Sequence, residues 1–337
     1  MNQRPQHLVV TGAAGFLGSN LITRLLGAGH RVIGIDNLSM GRIENIQAHL
    51  SNPNFTFLKR DVTDAGCFGD MPESIDCAVH LAAFKIPRYG KAIDTLRINY
   101  QGTDNTLQFA ARTGCKCVLA STSDVYGRNP KLPFSEDDDS VIGSSKVARW
   151  GYAVSKLFDE HLALAYQDSY GFPVVLLRFF GSYGPHQHLS WWGGPPPVFI
   201  AAALEGRSLP IHGDGQQTRS FTYVDDTVEG IYASIVNPNA NGEILNIGST
   251  QEVTILELAT TISQLIHPGR DPAIEWVAYE SFTGKKYEDV RRRVPDATLL
   301  ERLCGVRARV SLEEGLRRTI DWQRSVSTVA GPDTTAR

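Results

Sequence analysis

The chain has 337 residues, long enough for one large or two smaller domains, and a formal net charge of −3. Near neutrality gives no overall pull toward nucleic acid or an anionic membrane, and no apolar run reaches the roughly 18 residues that span a bilayer. Five cysteines, an odd number, fit reduced thiols in a cytoplasmic protein, and with no second Cys or His cluster at ligand spacing no metal site is expected.

The first predicted element is a buried strand, His7-Leu8-Val9-Val10-Thr11, because the run is short, apolar and β-branched. No signal-peptide core precedes it. Gly12, Gly15 and Gly18 follow at three-residue intervals and open a helix through about Ala28, with Phe16 and Leu17 inside the glycine segment. In such a turn Gly12 permits the bend, Gly15 lets a pyrophosphate approach, and Gly18 lets helix pack on strand. The helix N-terminus then faces the anion. A second strand, Arg31 to Ile35, ends at Asp36-Asn37. An acid there binds the ribose hydroxyls of NAD and repels the extra phosphate of NADP, though Arg42 nearby leaves NADP as an alternative.

Further strands are expected at Phe55–Lys59, running into Asp61-Val62 where adenine can sit, and at Asp76–Leu81, followed by the small Ala82-Ala83. A helix is expected over Lys91–Arg112, and a strand at Lys116–Ala120 delivers Ser121-Thr122-Ser123-Asp124 at its carboxyl end, where ligands bind in open α/β sheets. Tyr152 and Lys156 are four residues apart on the next helix, so they share a face. A cation beside a phenol favours the phenolate, which turns a group of pKa about 10 into a base near neutral pH. A sixth strand is read at Pro173–Arg178. The alternation predicts an α/β, doubly wound parallel sheet of the Rossmann type with right-handed crossovers.

Past residue 180 the pattern loosens. Trp191-Trp192-Gly193-Gly194-Pro195-Pro196-Pro197 reads as an irregular loop, helices are expected at Ile255–Ile266 and Leu312–Arg324, and residues 323–337 as a flexible tail. The division expected is a cofactor domain of residues 1–180 plus about 221–240, and a smaller, discontinuous substrate lobe of residues 181–220 and 241–322.

Taken together, the glycine segment, Asp36, His80-Leu81-Ala82-Ala83, Asn99, the Ser121–Gly127 run, Tyr152-x-x-x-Lys156, Arg178–Pro185, His212–Asp226 and Asp289–Asp296 resemble the extended short-chain dehydrogenase/reductases, in particular the nucleotide-sugar epimerases and dehydratases. The resemblance covers roughly residues 7 to 322. It implies retained NAD, a nucleotide-diphosphate sugar substrate, Tyr152 as base, Thr122 sharing the proton of the sugar 4-hydroxyl, and Lys156 on the nicotinamide ribose. Asn99 belongs with the cofactor contacts, Lys85 falls near the cofactor phosphates, and Arg219 and Arg292 match arginines that neutralise the substrate diphosphate. It also implies a homodimer through the helices near 91–112 and 151–170. Many relatives carry Asn where this chain has Gly181, which leaves His188 in the following loop as a candidate sugar contact.

The reaction branches after C4 oxidation. Ser123-Asp124 lacks the Asp-Glu pair expected of a dehydratase, whereas Arg293 and Arg149-Trp150 resemble UDP-glucuronate decarboxylases, with Asp124 one methylene shorter than their Glu. The expectation is 4-epimerisation, which asks nothing further at C5; decarboxylation or dehydration is the alternative. A dehydrogenase releasing NADH and a non-catalytic NAD-bound protein remain as readings from other classes.

Overall fold

A computed structural model describes residues 4–85, 92–279 and 288–329. Apolar, β-branched segments form the strands β1 (His7–Thr11), β2 (Arg31–Asp36), β3 (Phe55–Lys59), β4 (Cys77–His80), β5 (Lys116–Thr122) and β6 (Val174–Phe179). Between them run the helices α1 (Phe16–Gly27), α2 (Ala92–Thr113) and α3 (Trp150–Tyr170). The second half adds β7 (Ser182–Tyr183), α4 (Pro195–Leu204), β8 (Leu209–His212), β9 (Thr218–Ser220), β10 (Thr222–Tyr223), α5 (Val224–Val236), β11 (Ile244–Ile247), β12 (Glu252–Thr254), α6 (Ile255–Ile266) and β13 (Ile274–Val277). Two helices close the chain, α7 (Thr298–Cys304) and α8 (Leu312–Val329).

Seven strands make one parallel sheet in the order β11-β6-β5-β4-β1-β2-β3, the doubly wound architecture expected. The order reverses between β1 and β4, and the cleft opens above that switch, outside the carboxyl ends of both strands. Val9, Val10, Val79, Val118 and Leu177 are fully buried in the strands, so both faces are covered, as parallel sheets require. No helix among the described residues is long and apolar enough to cross a membrane.

Three expectations need correction. The prolines 195–197 do not exclude helix: they form the first turn of α4. The first-turn N–H groups have no intrahelical partner, so their absence costs nothing, and proline presets φ. The sheet also draws on a strand, β11, from the segment assigned to the substrate lobe. Finally, α8 continues through Val329, because Gln323 is buried and donates to the Pro197 carbonyl at 3.0 Å while Arg317 and Arg318 pair one turn back with Glu313 and Glu314. The tail therefore cannot begin at 323; residues 330–337 lie outside those described.

Asn246 of β11 locks the covering segments to the sheet edge. Its backbone N–H donates to Glu136 at 2.8 Å, and its Nδ2 to the carbonyls of Phe134 and Asp296 at 2.9 and 3.0 Å. Its Oδ1 accepts from Tyr126 Oη at 2.7 Å, so every polar atom the side chain carries is satisfied in a fully buried place.

Candidate active site

One cleft of about 1680 Å³ runs from the glycine turn to the arginines near residue 290. Pockets for one small ligand hold roughly 300–1,000 Å³, so this volume suits a dinucleotide plus a second molecule.

The cofactor half is built on close backbone approach. Gly12 has φ +69, and a Cβ there would meet Ala82 N at 2.9 Å. A Cβ on Gly18 would lie 2.0 Å from the Gly12 carbonyl, so α1 packs directly on the turn. Gly15, Phe16, Leu17, Leu81, Ala82 and Ala83 line the wall. Asp36 closes β2, accepting from Ala14 N at 3.0 Å and Leu38 N at 2.8 Å; burial pushes its pKa up against the pull of those two N–H groups. Asn37 donates to Asp61 at 2.7 Å. Burial would raise Asp61, but the N–H and hydroxyl of Thr63 together with Asn37 outweigh it and hold the carboxyl below the ordinary range. Val62 lies beside it in the lining. A glycine cradle that a Cβ would fill, a helix N-terminus and a carboxylate at the end of the second strand fit NAD.

Of the residues expected at the cofactor, one lies behind the cleft wall. Asn99 does not line the cleft. It is fully buried behind the wall, accepting from Phe84 N at 2.8 Å and donating to Ser155 Oγ at 2.9 Å. Lys85 does line the cleft, and its ammonium donates to the Trp192 carbonyl at 3.4 Å.

The reactive end sits where β5 stops. Thr122 caps the short turn that follows, its Oγ1 accepting from Asp124 N at 3.2 Å, and its hydroxyl is hydrogen-bonded to Tyr152. Ser123 is buried and also lines the cleft. Ser121 donates to Glu160, which grips Arg178 of β6 through two bonds of 3.0 and 2.8 Å, so the strand end is fixed to α3. Lys156 follows Tyr152 one turn later on α3 and lines the same cleft. Lys156 Nζ donates to Asp159 at 3.1 Å, so its charge is balanced. Burial, then the Asp124 carboxylate, push the Tyr152 hydroxyl well above its ordinary value, while Thr122 and Arg293 pull it back in part.

Three guanidiniums and two carboxylates converge beside Tyr152. Asp124 accepts from Arg149 at 3.3 Å and from Arg293 in a shorter bond. Asp289 pairs with Arg219 at 2.8 Å, lies 3.9 Å from Arg149, and accepts from Tyr279 Oη at 2.8 Å. Burial would raise Asp289, but Arg219 and Arg149 outweigh it and hold it ionised. The five side chains are 10–25% exposed and carry one positive charge in excess. Trp150 anchors this wall: its indole donates to Glu288 at 3.1 Å, and the Arg149 guanidinium lies 4.7 Å above its ring.

Arg292 is a correction. Its side chain is 57% exposed and paired bidentately with Glu252 at 3.0 and 2.7 Å, outside the cleft. Glu252 lies on β12, which pairs with β9 beside it, so the carboxylate captures Arg292 while Arg293 turns inward. No spacing rule reveals that Asp289, two residues before the arginine run, would turn to Arg219 and Arg149. Gly181 is bare for a steric reason: a Cβ there would lie 2.6 Å from the Ser220 carbonyl, so an asparagine would not fit this backbone. His188 lines the cleft with its Nδ1 2.9 Å from Ser190 Oγ, and burial, then Arg42 and Lys85, lower its pKa and keep it neutral. Next to it Trp191 stacks on His212 at 4.3 Å, and Trp192 meets the edge of Phe84 at 5.2 Å.

A doubly wound sheet with a dinucleotide cradle, and Thr122, Tyr152 and Lys156 lining the cleft beyond its fifth strand, are the frame of an NAD-using enzyme. The chain belongs to the NAD dependent epimerase/dehydratase family, whose sequence model matches residues 8–248. It is 38% identical over 320 residues to UDP-N-acetyl-alpha-D-glucosaminuronate decarboxylase of Bacillus cytotoxicus, covering 94% of this chain and 98% of the relative. It is 35% identical to UDP-glucuronic acid decarboxylase 1 of Xenopus tropicalis, covering 95% of this chain and 72% of that protein. UDP-glucuronic acid 4-epimerase from Bacillus cereus, solved with UDP-glucuronic acid and NAD, superposes with a TM-score of 0.82 at 30% identity, over 95% of this chain and 99% of that one.

Proposed function

We propose that this enzyme decarboxylates a UDP-linked hexuronate, with oxidation at C4 as the first step. This reverses the order of the sequence expectation, in which epimerisation came first. The observation that carries the reading is the surplus positive charge of the Arg149, Arg219, Arg293, Asp124 and Asp289 cluster beside Tyr152. A uronate carboxylate balances that charge, whereas a neutral hexose ring would leave only the diphosphate to meet it. The decarboxylase relatives support the same class of substrate.

Tyr152 takes the proton of the sugar O4, passed through the Thr122 hydroxyl, as the C4–H bond breaks. The glycine turn, Asp36 and Lys156 would hold NAD, which when bound would supply the hydride acceptor and later the hydride donor. The ketone formed at C4 lies β to the carboxylate. The C5–C6 bond can therefore break with its electron pair moving into the ketone as carbon dioxide leaves. This step requires no base at C5; the enolate it leaves takes a proton at C5 from water, and the ketone is then reduced at C4 while Tyr152 returns the O4 proton. The absence of an Asp-Glu acid–base pair, which argues against dehydration, is thus no obstacle here. Asp124, held by two guanidiniums, is suited to orienting them rather than to carrying protons.

A 4-epimerase acting on the same uronate is the second reading, favoured by the Bacillus cereus neighbour. Proton NMR of the enzyme with UDP-glucuronate and with UDP-N-acetylglucosaminuronate separates the two. Loss of the C5 carboxylate, with a pentose-type product, supports the proposal; a C4 epimer with the carboxylate retained refutes it. The same reading takes the enzyme as a dimer. Ile93, Leu96 and Tyr100 of α2 and Val154 and Phe158 of α3 are 41–50% exposed, with the Tyr100 and Phe158 rings 5.7 Å apart. A second copy would cover this apolar face, and a monomer in sedimentation would refute that.

A further inference from the structure

One turn beyond the Tyr152–Lys156 pair, α3 carries a buried carboxylate that the proposed chemistry does not use. The Asp159 side chain is 5% exposed and the Lys156 side chain 2%, and they meet at 3.1 Å through Asp159 Oδ2. The other oxygen, Oδ1, is buried with no hydrogen-bond partner. An unshared carboxylate oxygen in such a place is costly, so the lysine contact is what Asp159 gains for its burial.

We propose that Asp159 is the counter-ion of Lys156, a positioning residue that anchors the ammonium and limits how strongly it promotes ionisation of Tyr152. The proposal rests on the reading of Tyr152 as the base. An ammonium beside a phenol stabilises the phenolate, and a carboxylate touching that ammonium cancels much of its field. The Asp159 charge also acts on Tyr152 directly, in the sense that opposes ionisation.

The surrounding groups leave this role to Asp159. At Tyr152 stand Asp124 and Arg293, already paired with each other. Toward Lys156 from β4 comes His80, whose ring burial and the lysine itself keep neutral, its pKa lowered to about 3. α2, packed on α3, carries Thr95, Asn99 and Thr103 as buried, uncharged side chains. Glu160, next on the helix, is closed onto Arg178 of β6. Of the described carboxylates acting on Tyr152, Asp124 is held by two guanidiniums and Asp159 by Lys156 alone.

The test is a titration of Tyr152 itself in the NAD-loaded protein, needing no substrate. The near-ultraviolet phenolate absorbance of each protein is compared with that of its Tyr152→Phe counterpart, so the difference reports one phenol. Asp159→Asn keeps the shape and removes the charge. The expected result is a titration midpoint at lower pH, with the phenolate-to-phenol ratio at fixed pH raised on the order of threefold or more. The acidic limb of kcat/KM moves the same way, and Asp159→Glu restores the wild-type midpoint. An unmoved midpoint with a lower melting temperature would reduce Asp159 to a packing residue and overturn the proposal. So would an acidic limb of kcat/KM that Asp159→Asn leaves in place. Should Asp159→Asn fail to fold, Asp159→Ser carries the same expectation. A wild-type enzyme that released no carbon dioxide would sink the proposed function and leave this titration standing.

Discussion

Replacing Arg293 with methionine tests the charge argument directly, because it deletes the cation and keeps most of the stem's packing. Arg293 is 19% exposed and bonded to Asp124, which retains Arg149 at 3.3 Å when Arg293 is lost. Asp289 likewise keeps Arg219 at 2.8 Å and Tyr279 at 2.8 Å, so neither carboxylate is stranded and the fold survives. What changes is the balance: two arginines against two aspartates leave no surplus for a substrate carboxylate. A hydrogen bond to a charged group is worth about 1.5–3 kcal/mol. At about 1.4 kcal/mol per tenfold, affinity for a UDP-uronate should fall roughly 10- to 150-fold. Affinity for the neutral UDP-hexose should change little. Calorimetric titration of wild type and Arg293→Met with both ligands gives the two ratios. Equal losses would refute the reasoning, since the arginine would then serve the shared nucleotide or the wall rather than the acid.

Three further outcomes are expected. Tyr152→Phe should lower kcat by about 10²-fold or more, the scale of a lost general base, while sugar-nucleotide affinity stays within about twofold. Retained turnover would reject Tyr152 as base. Arg292→Ala should leave KM unchanged and cost under about 1 kcal/mol in stability by chemical denaturation, because its partner Glu252 lies in a solvent-exposed pair. The folded-state pKa of His80 is depressed to about 3, so between that value and about 6.5 the unfolded chain binds a proton that the folded one does not. Stability should fall as pH drops through this window, by at most about 1.4 kcal/mol per unit, and denaturation midpoints of His80→Gln should lack that component of the slope.

The cofactor half was legible in sequence because its physics is local. A bare turn, a helix start and an acid at a strand end lie within thirty or so residues, and the glycine spacing encodes the close approach that Gly12 and Gly18 make. The Tyr152–Lys156 pairing was legible for the same reason, through helix periodicity. The missed features depend on which way a side chain turns in irregular chain. Nothing in the Arg291-Arg292-Arg293 run reveals that Glu252, distant in sequence, takes the middle residue and leaves the last for the cleft. Asp159 was within reach, lying three residues after Lys156 on the same face, but composition gives no hint that it would be buried. The prolines of α4 misled because the rule against proline in helices weakens at the first turn.

The satisfied amide of Asn246 also bears on solubility. β11 is a four-residue strand at the outer margin of the sheet, and an open margin of unpaired N–H and carbonyl groups is a template onto which another molecule's chain can add. Here the N–H at position 246 is taken by the Glu136 carboxylate, and the segments through Phe134 and Asp296 are tied across the margin by the Asn246 side chain. Loosening those ties, as Asn246→Ala would, leaves the sheet exposed to intermolecular strand addition. Aggregation on storage or on heating is therefore where damage at this residue should first be seen.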